Sequence, residues 1–282
     1  MAVIALLLGV GAYAAYTAYQ RYVVQLLTVP GCQAGTGASA IPLDFGQASD
    51  AAVIAGTAAR DHLPSRAMTI AYATGWQESK LENLSYGDRD SVGIFQQRPS
   101  EGWGSQAQLE DPAYATRAFF GALTKVPDWA TIPVYEAAQD VQRSADGYAY
   151  QQYAQSGEQL AADYTASPHA VTCWYAPGTQ AASENVPATL NRAGAVRALD
   201  DTFGQPGKDG VVTRVTTPRS EQSMTLATAA GQGWTVANWL VTNASSYGIT
   251  QVSYAGYQWT ARLTESSWQS VPESSTGGIV AS

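Results

Sequence analysis

The sequence predicts a mainly α domain, preceded by one transmembrane helix and followed by a small α+β domain. Three observations carry this. Residues 1–20 form an uncharged, apolar run; apolar side chains recur at helical spacing between residues 49 and 164; and a stretch rich in Ala, Pro, Gly, Ser and Thr at 174–186 gives way to a hairpin pattern. The boundaries that follow are a membrane anchor at 1–27, a helical domain at 28–173, a linker at 174–186 and a C-terminal domain at 187–282. With 282 residues, 45% hydrophobic and only 13% charged, the chain has ample material for a core and lacks the composition of a disordered protein. Its 15 basic and 23 acidic residues give a net charge of −8, opposite in sign to the footprint that a phosphate backbone requires, so no nucleic acid is expected as a partner.

The anchor is expected because Ala2 to Tyr19 is long enough to cross a hydrocarbon core of about 30 Å. Tyr13, Tyr16, Tyr19 and Tyr22 then gather at one end, where amphipathic rings favour headgroups, and Arg21 stops the run. A cleaved signal peptide is the rival reading, since Ala12-Tyr13-Ala14 has the small-x-small form, although no basic region precedes the apolar run. Cys32 and Cys173 would staple together the two ends of everything between them, which is worth about 4–5 kcal/mol in the chain-entropy model. Two unrelated buried thiols are the alternative. A bridge needs an oxidising compartment, so the expected location is a single-pass protein of the cytoplasmic membrane with residues 28–282 outside. Arg21, alone, argues for the opposite orientation.

Residues 33–46 read as a spacer. Ser49 can cap a helix that carries Val53, Ile54, Thr57 and Ala58 on one face, and Pro64-Ser65 opens a second in which Ala67, Ile70, Ala71, Thr74, Glu78 and Leu81 share a face. From Asn83 to Trp103, glycines, Asp88, Asp90 and Pro99 predict loops. Helices are expected again near 111–125, 133–146 and 150–164, then near 187–202 and 232–247, with a hairpin over 251–259.

Glu78 therefore stands among apolar groups near the C-terminal end of a helix. Desolvation and the negative helix end both favour a protonated carboxyl there, the form in which a carboxylic acid can give a proton to a leaving group. The loop ten to twelve residues on could set Asp88 or Asp90 across a cleft from it, and Trp76, Phe95 and Trp103 could stack on sugar rings. Such equipment suits a glycosidase. The run Gly87-Asp-Arg-Asp90 is equally ordinary turn chemistry.

Two motifs sharpen the reading. Glu78-Ser79, followed by Gly93-Ile94-Phe95-Gln96, resembles the paired motifs of the lysozyme-like superfamily, especially soluble lytic transglycosylases and goose-type lysozymes. The longer stretch from Gln77 to Gly104, with Val141-Gln-Arg-Ser144 and the final Cys173, resembles a group of actinobacterial membrane-anchored extracytoplasmic proteins and covers about residues 30–173. The resemblance implies a lysozyme-like fold and cleavage of the β-1,4 bonds of peptidoglycan glycan strands. It makes Glu78 the general acid and Ser79, Phe95, Gln96 and Trp103 substrate-binding residues. A non-catalytic glycan-binding or scaffold protein of a wall-spanning assembly is the alternative. A third transglycosylase motif of the Ala-Tyr-Asn-Ala-Gly type is missing, and Gln139, Gln142, Arg143 and Ser144 stand in its region. Hydrolysis and anhydro-sugar formation therefore both stay open.

No metal or cofactor is expected. Asp88-x-Asp90-x-x-Gly93 begins like a calcium loop but has Val92 and Pro99 where oxygen ligands are needed, and His62 and His169 lie far apart. The C-terminal stretch Gly233 to Trp268 resembles a module of exported actinobacterial proteins that is reminiscent of zinc-dependent wall peptidases. Its counterpart of their metal motif, Thr217 to Ala230, has neither His nor Asp, and the whole module lacks His and Cys. The expectation is a metal-free domain that serves packing, tethering or contacts with protein partners.

Overall fold

The structure is a computed structural model and describes residues 29–144, 147–178, 180–181, 184–185, 189–207, 210–217, 222–264, 267–272 and 278–282. Strand β1 (Gly31–Ala34) pairs antiparallel with β2 (Ile41–Leu43) on one side and with β3 (Val171–Trp174) on the other. Between β2 and β3 run helices α1 (Phe45–Arg60), α2 (Ser65–Ser79), α3 (Gln106–Leu109), α4 (Pro112–Leu123), α5 (Val134–Gln142) and α6 (Ala154–Thr165), the last preceded by a 3-10 segment over Gly147–Tyr153. Cys32 and Cys173 sit opposite each other in the β1–β3 register and form a disulfide that closes a separation of 141 residues.

α2 is the central element. Ala67, Ile70, Ala71, Tyr72 and Ala73 are buried, and Gly157 of α6 lies so close that a Cβ there would come within 2.6 Å of the Thr69 carbonyl. α1 completes the core through two phenols: Tyr72 donates to the Ala51 carbonyl at 2.8 Å and Tyr164 to the Ala48 carbonyl at 3.0 Å. Burial pushes both of these hydroxyls above the usual tyrosine range.

After the short antiparallel pair β4 (Gln180–Ala181) and β5 (Glu184–Asn185), the C-terminal part contributes α7 (Arg192–Phe203), β6 (Val212–Thr216), β7 (Met224–Thr228), α8 (Gly233–Thr242), α9 (Ala244–Tyr247), β8 (Gln251–Tyr254), β9 (Tyr257–Thr260), β10 (Gln269–Ser270) and β11 (Ile279–Ala281). Its strands form a six-stranded antiparallel sheet in the order β10-β9-β8-β11-β7-β6. The sheet is fastened to the helical part by buried side chains. Trp259 Nε1 donates to the Cys173 carbonyl at 3.1 Å, Trp268 Nε1 to Val171 at 2.8 Å, and Asn238 Nδ2 to the carbonyls of Asp163 and Tyr164. The buried apolar residues of 28–173 and 187–282 thus form one continuous core.

Three expectations need correction. The chain is mixed α/β, with 46% helix and 16% strand, in place of a mainly α protein with a membrane helix. Part of the reason is that β1 and β2 lie in or beside the Gly- and Thr-rich stretch read as a spacer, and strands of two to five residues are too short to show a period. Among the described residues no helix is long and apolar enough to cross a membrane, so the single-pass membrane location is withdrawn; the expected anchor at 1–27 lies outside the described residues. The disulfide fits an oxidising compartment. Finally, α1 starts four residues before Ser49. Asp44 is its cap, accepting from the Gln47 N–H at 2.8 Å while the Gln47 side chain reaches back to the Asp44 N–H. Ser49 instead donates to Asn243 of the C-terminal part. The hairpin expected over 251–259 is formed by β8 and β9.

Candidate active site

α2 ends at Ser79 because Lys80 and then Leu81 turn into the left-handed region, each at φ 61°. That turn leaves Glu78 half-buried at the end of the helix and sends the chain into the 82–104 loops. Tyr150, almost fully buried on the 3-10 segment, donates its hydroxyl to Glu78 Oε1 at 2.7 Å. The carboxyl is thereby held in one orientation, with Oε2 left for other work. Ser79 is buried and donates to the carbonyl of Ile94 at 2.7 Å and of Gly75 at 3.2 Å, and it accepts the Glu82 N–H at 3.1 Å. Its role in this structure is to tie the end of the Glu78 helix to the Gly93–Gln96 turn.

That turn is tight. Gly93 has φ +78°, and a Cβ on it would come within 2.3 Å of the Leu109 carbonyl, so only glycine fits. The Phe95 ring faces the core and stacks on Phe119 at 4.5 Å, which leaves its backbone carbonyl as its contribution to the site; Gln142 Nε2 donates to that carbonyl at 2.7 Å. Gln96, at φ 49°, bonds the carbonyls of Gly93 and Tyr86. Trp76 stacks on Tyr153 rather than standing free, and the Lys80 ammonium lies 4.7 Å from the same tyrosine ring.

The acidic loop does a different job from the one expected. Both oxygens of Asp90 are engaged: Arg98 Nε donates at 3.0 Å, the Ser100 N–H at 2.8 Å and the Ser100 hydroxyl at 2.9 Å. The Ser100 amide, helped by Arg98 and the Ser100 hydroxyl, holds the Asp90 carboxyl down to about 2. Arg98 is also paired with Glu101. Asp88 points to solvent, with its side chain 95% exposed. The structure thus gathers Glu78, Ser79 and the backbone of Ile94 and Phe95 at one place, while Asp90 anchors the 98–101 turn.

Trp103 is half-buried and borders a cavity of about 420 Å³ whose wall includes Val126, Pro127, Lys125 and Arg143. A second cavity, about 540 Å³, is lined by Arg98, Glu101, Gln142 and Arg143. A larger one, about 860 Å³, is lined by Arg60 and His62 before α2, by Arg117 of α4 and by Asp200 and Asp201 of α7.

Two residues of the site escaped the sequence reading. Tyr150 lies in a run of three tyrosines between 148 and 153, a dense aromatic signal just past the region of the missing third motif. Asp50 is buried under the Glu78 exit loop and accepts the backbone N–H of Asn83; burial pushes its carboxyl well above the usual range despite that bond. A single acid inside the otherwise apolar Ala- and Val-rich stretch of α1 was its only trace. Among the described residues no group of three or more His, Cys, Asp or Glu converges as metal ligands would. No family model and no curated protein matches the chain.

Proposed function

We propose that this chain cleaves the β-1,4 glycosidic bonds of peptidoglycan glycan strands, with Glu78 as general acid, as in the lysozyme-like superfamily it resembles. The observation that carries the reading is the Tyr150–Glu78 hydrogen bond at the end of a helix tied by Ser79 to the Gly93–Gln96 turn. A protonated Glu78 gives its proton from Oε2 to the leaving oxygen, and the C1–O bond breaks toward an oxocarbenium-like sugar. Tyr150 then donates to the carboxylate so formed. Glu78 next takes a proton from the hydroxyl that attacks C1, whether water or the sugar's own hydroxyl. Because Asp90 is committed to Arg98 and Ser100 and Asp88 faces outward, this route assigns no second carboxylate.

The same engagement of Asp90 also favours a second reading, a groove that binds glycan without cutting it. Muropeptide analysis of wall incubated with wild type and with Glu78→Gln separates the two. Release of soluble glycan fragments by wild type alone is the expected result. Release by neither protein, with glycan still bound, would leave the binding reading in place.

A further inference from the structure

The two cavities beside the Gly93–Gln96 turn meet at Arg143, which lines both. Arg143 closes α5 in the left-handed region at φ 52°, so its side chain leaves the helix at a sharp change of chain direction. It follows Gln142, whose amide is fixed on the Phe95 carbonyl, and this joins the cavities to the Glu78 turn through Ile94 and Ser79.

Charge is distributed unevenly around Arg143. On one side Arg98 is spent: it bonds Asp90, Ser100 and Glu101. On the other side Lys125 and Arg143 are both exposed, and among the described residues neither is in an ion pair. They line the same cavity as the half-buried Trp103, together with Val126 and Pro127. An indole that shares a cavity with two exposed cations is the chemistry that takes a sugar ring on an apolar face and an anion at its edge. Among the described residues that line the cavity, Asp140 carries the opposing charge. In a chain of net charge −8, two exposed cations at one aromatic cavity are a local reversal.

We infer that the Trp103 cavity is a subsite for a carboxylate-bearing glycan, with Trp103 under the sugar and Lys125 and Arg143 reading carboxylates of the substituent, such as those of a stem peptide. The inference rests on the reading that the Glu78 groove takes glycan, and it adds selectivity for acidic over neutral β-1,4 strands.

The test is binding to the full chain carrying Glu78→Gln, so that no turnover intervenes. The probes are soluble, uncrosslinked peptidoglycan strands with their peptides and, as a neutral strand, chitohexaose. Adding Lys125→Gln and Arg143→Gln together is expected to weaken binding of the peptide-bearing strand about fivefold at low salt, given what exposed ion pairs contribute, and to remove its salt dependence. Chitohexaose binding should change less than about twofold, which also shows that the variant is folded. Trp103→Ala should weaken both. An equal loss on both strands, an unchanged affinity for the acidic one, or no binding of either by the Glu78→Gln chain overturns the inference. Because the measurement is made without turnover, failure of wild type to release muropeptides would sink the proposed cleavage and leave this result standing.

Discussion

Residues 80–104 and residues 233–281 both fold back on the same helices, yet they are fastened by different chemistry. The first segment is held by polar side chains on backbone groups: Ser79 on Ile94, Gln142 on Phe95, Asp90 on Ser100 and Asp50 on Asn83. Left-handed residues at Lys80, Leu81, Arg89 and Gln96 recur along it. The second is held by buried indoles and an amide, Trp259, Trp268 and Asn238, each donating into the end of α6 or into β3. Such donors do not titrate, and they bring large apolar area with each hydrogen bond. The segment beside Glu78, the groove side of the proposed function, therefore keeps polar groups along it, while the sheet side is fixed by buried indoles.

Removing an indole from the wall should have the largest effect. Trp259 is fully buried, and Trp259→Ala leaves a cavity and removes the hydrogen bond to the Cys173 carbonyl, so the expected loss is about 3–5 kcal/mol in denaturant unfolding. A single cooperative transition should persist at the lower midpoint, since one core spans both parts. Two separated transitions would break the comparison. On the groove side, Tyr150→Phe should lower glycan cleavage about 10–100-fold, the worth of a hydrogen bond to a charged group. KM should hardly move, because Tyr150 orients Glu78 rather than the substrate. A fall in cleavage that merely follows a fall in stability would count against this role.

Asp50 and Asp90 should give the pH dependence of stability two opposite signs, alongside Asp163 and Asp200, whose carboxyls burial also pushes up. Asp50 keeps its proton more firmly in the folded chain than in the unfolded one, so its contribution is full below the unfolded value of about 3.9 and is lost as pH rises toward the raised folded value. Asp50→Asn, which retains an acceptor for the Asn83 N–H, should flatten that decline and raise the unfolding midpoint at neutral pH. Asp90 has the opposite sign. Held down to about 2, it stabilises the fold above about 3.9 and loses that contribution as pH falls through 2. Asp90→Asn should remove only a small, acid-side dependence, since the group is exposed. Unfolding midpoints measured between pH 2 and 8 for both variants check the pair. A neutral-side decline that survives Asp50→Asn would place the titrating group elsewhere.

The helices around Glu78 were legible because their apolar spacing is long and regular, and the end of α2 was legible from the Glu78-Ser79 motif itself. The 251–259 hairpin showed in its alternation of Val252, Tyr254 and Trp259. What stayed hidden depends on distance in sequence. The two cysteines announced that residues 32 and 173 meet, as the disulfide shows, but no local pattern in a Gly- and Thr-rich segment announced the β1–β3 strand pairing around them. Tyr150 reaches Glu78 across 72 residues, so its aromatic run looked like the start of α6. The partners of Asp90 were hidden for a related reason. A carboxylate in a turn has the same sequence signature whether it faces a substrate or anchors Arg98, and only the fold reveals which partner is near.

The central claim, that Glu78 delivers a proton to the leaving oxygen, is tested most directly by changing the leaving group. A dinitrophenyl glycoside of a chito-oligosaccharide departs without protonation, whereas a sugar leaving group needs it. In a single turnover, Glu78→Gln should release dinitrophenolate within about tenfold of wild type, because the base is needed only for the later attack at C1, while losing about 10²–10⁴-fold on wall glycan. Equal losses on the two substrates, or full activity on wall glycan, would contradict the assignment.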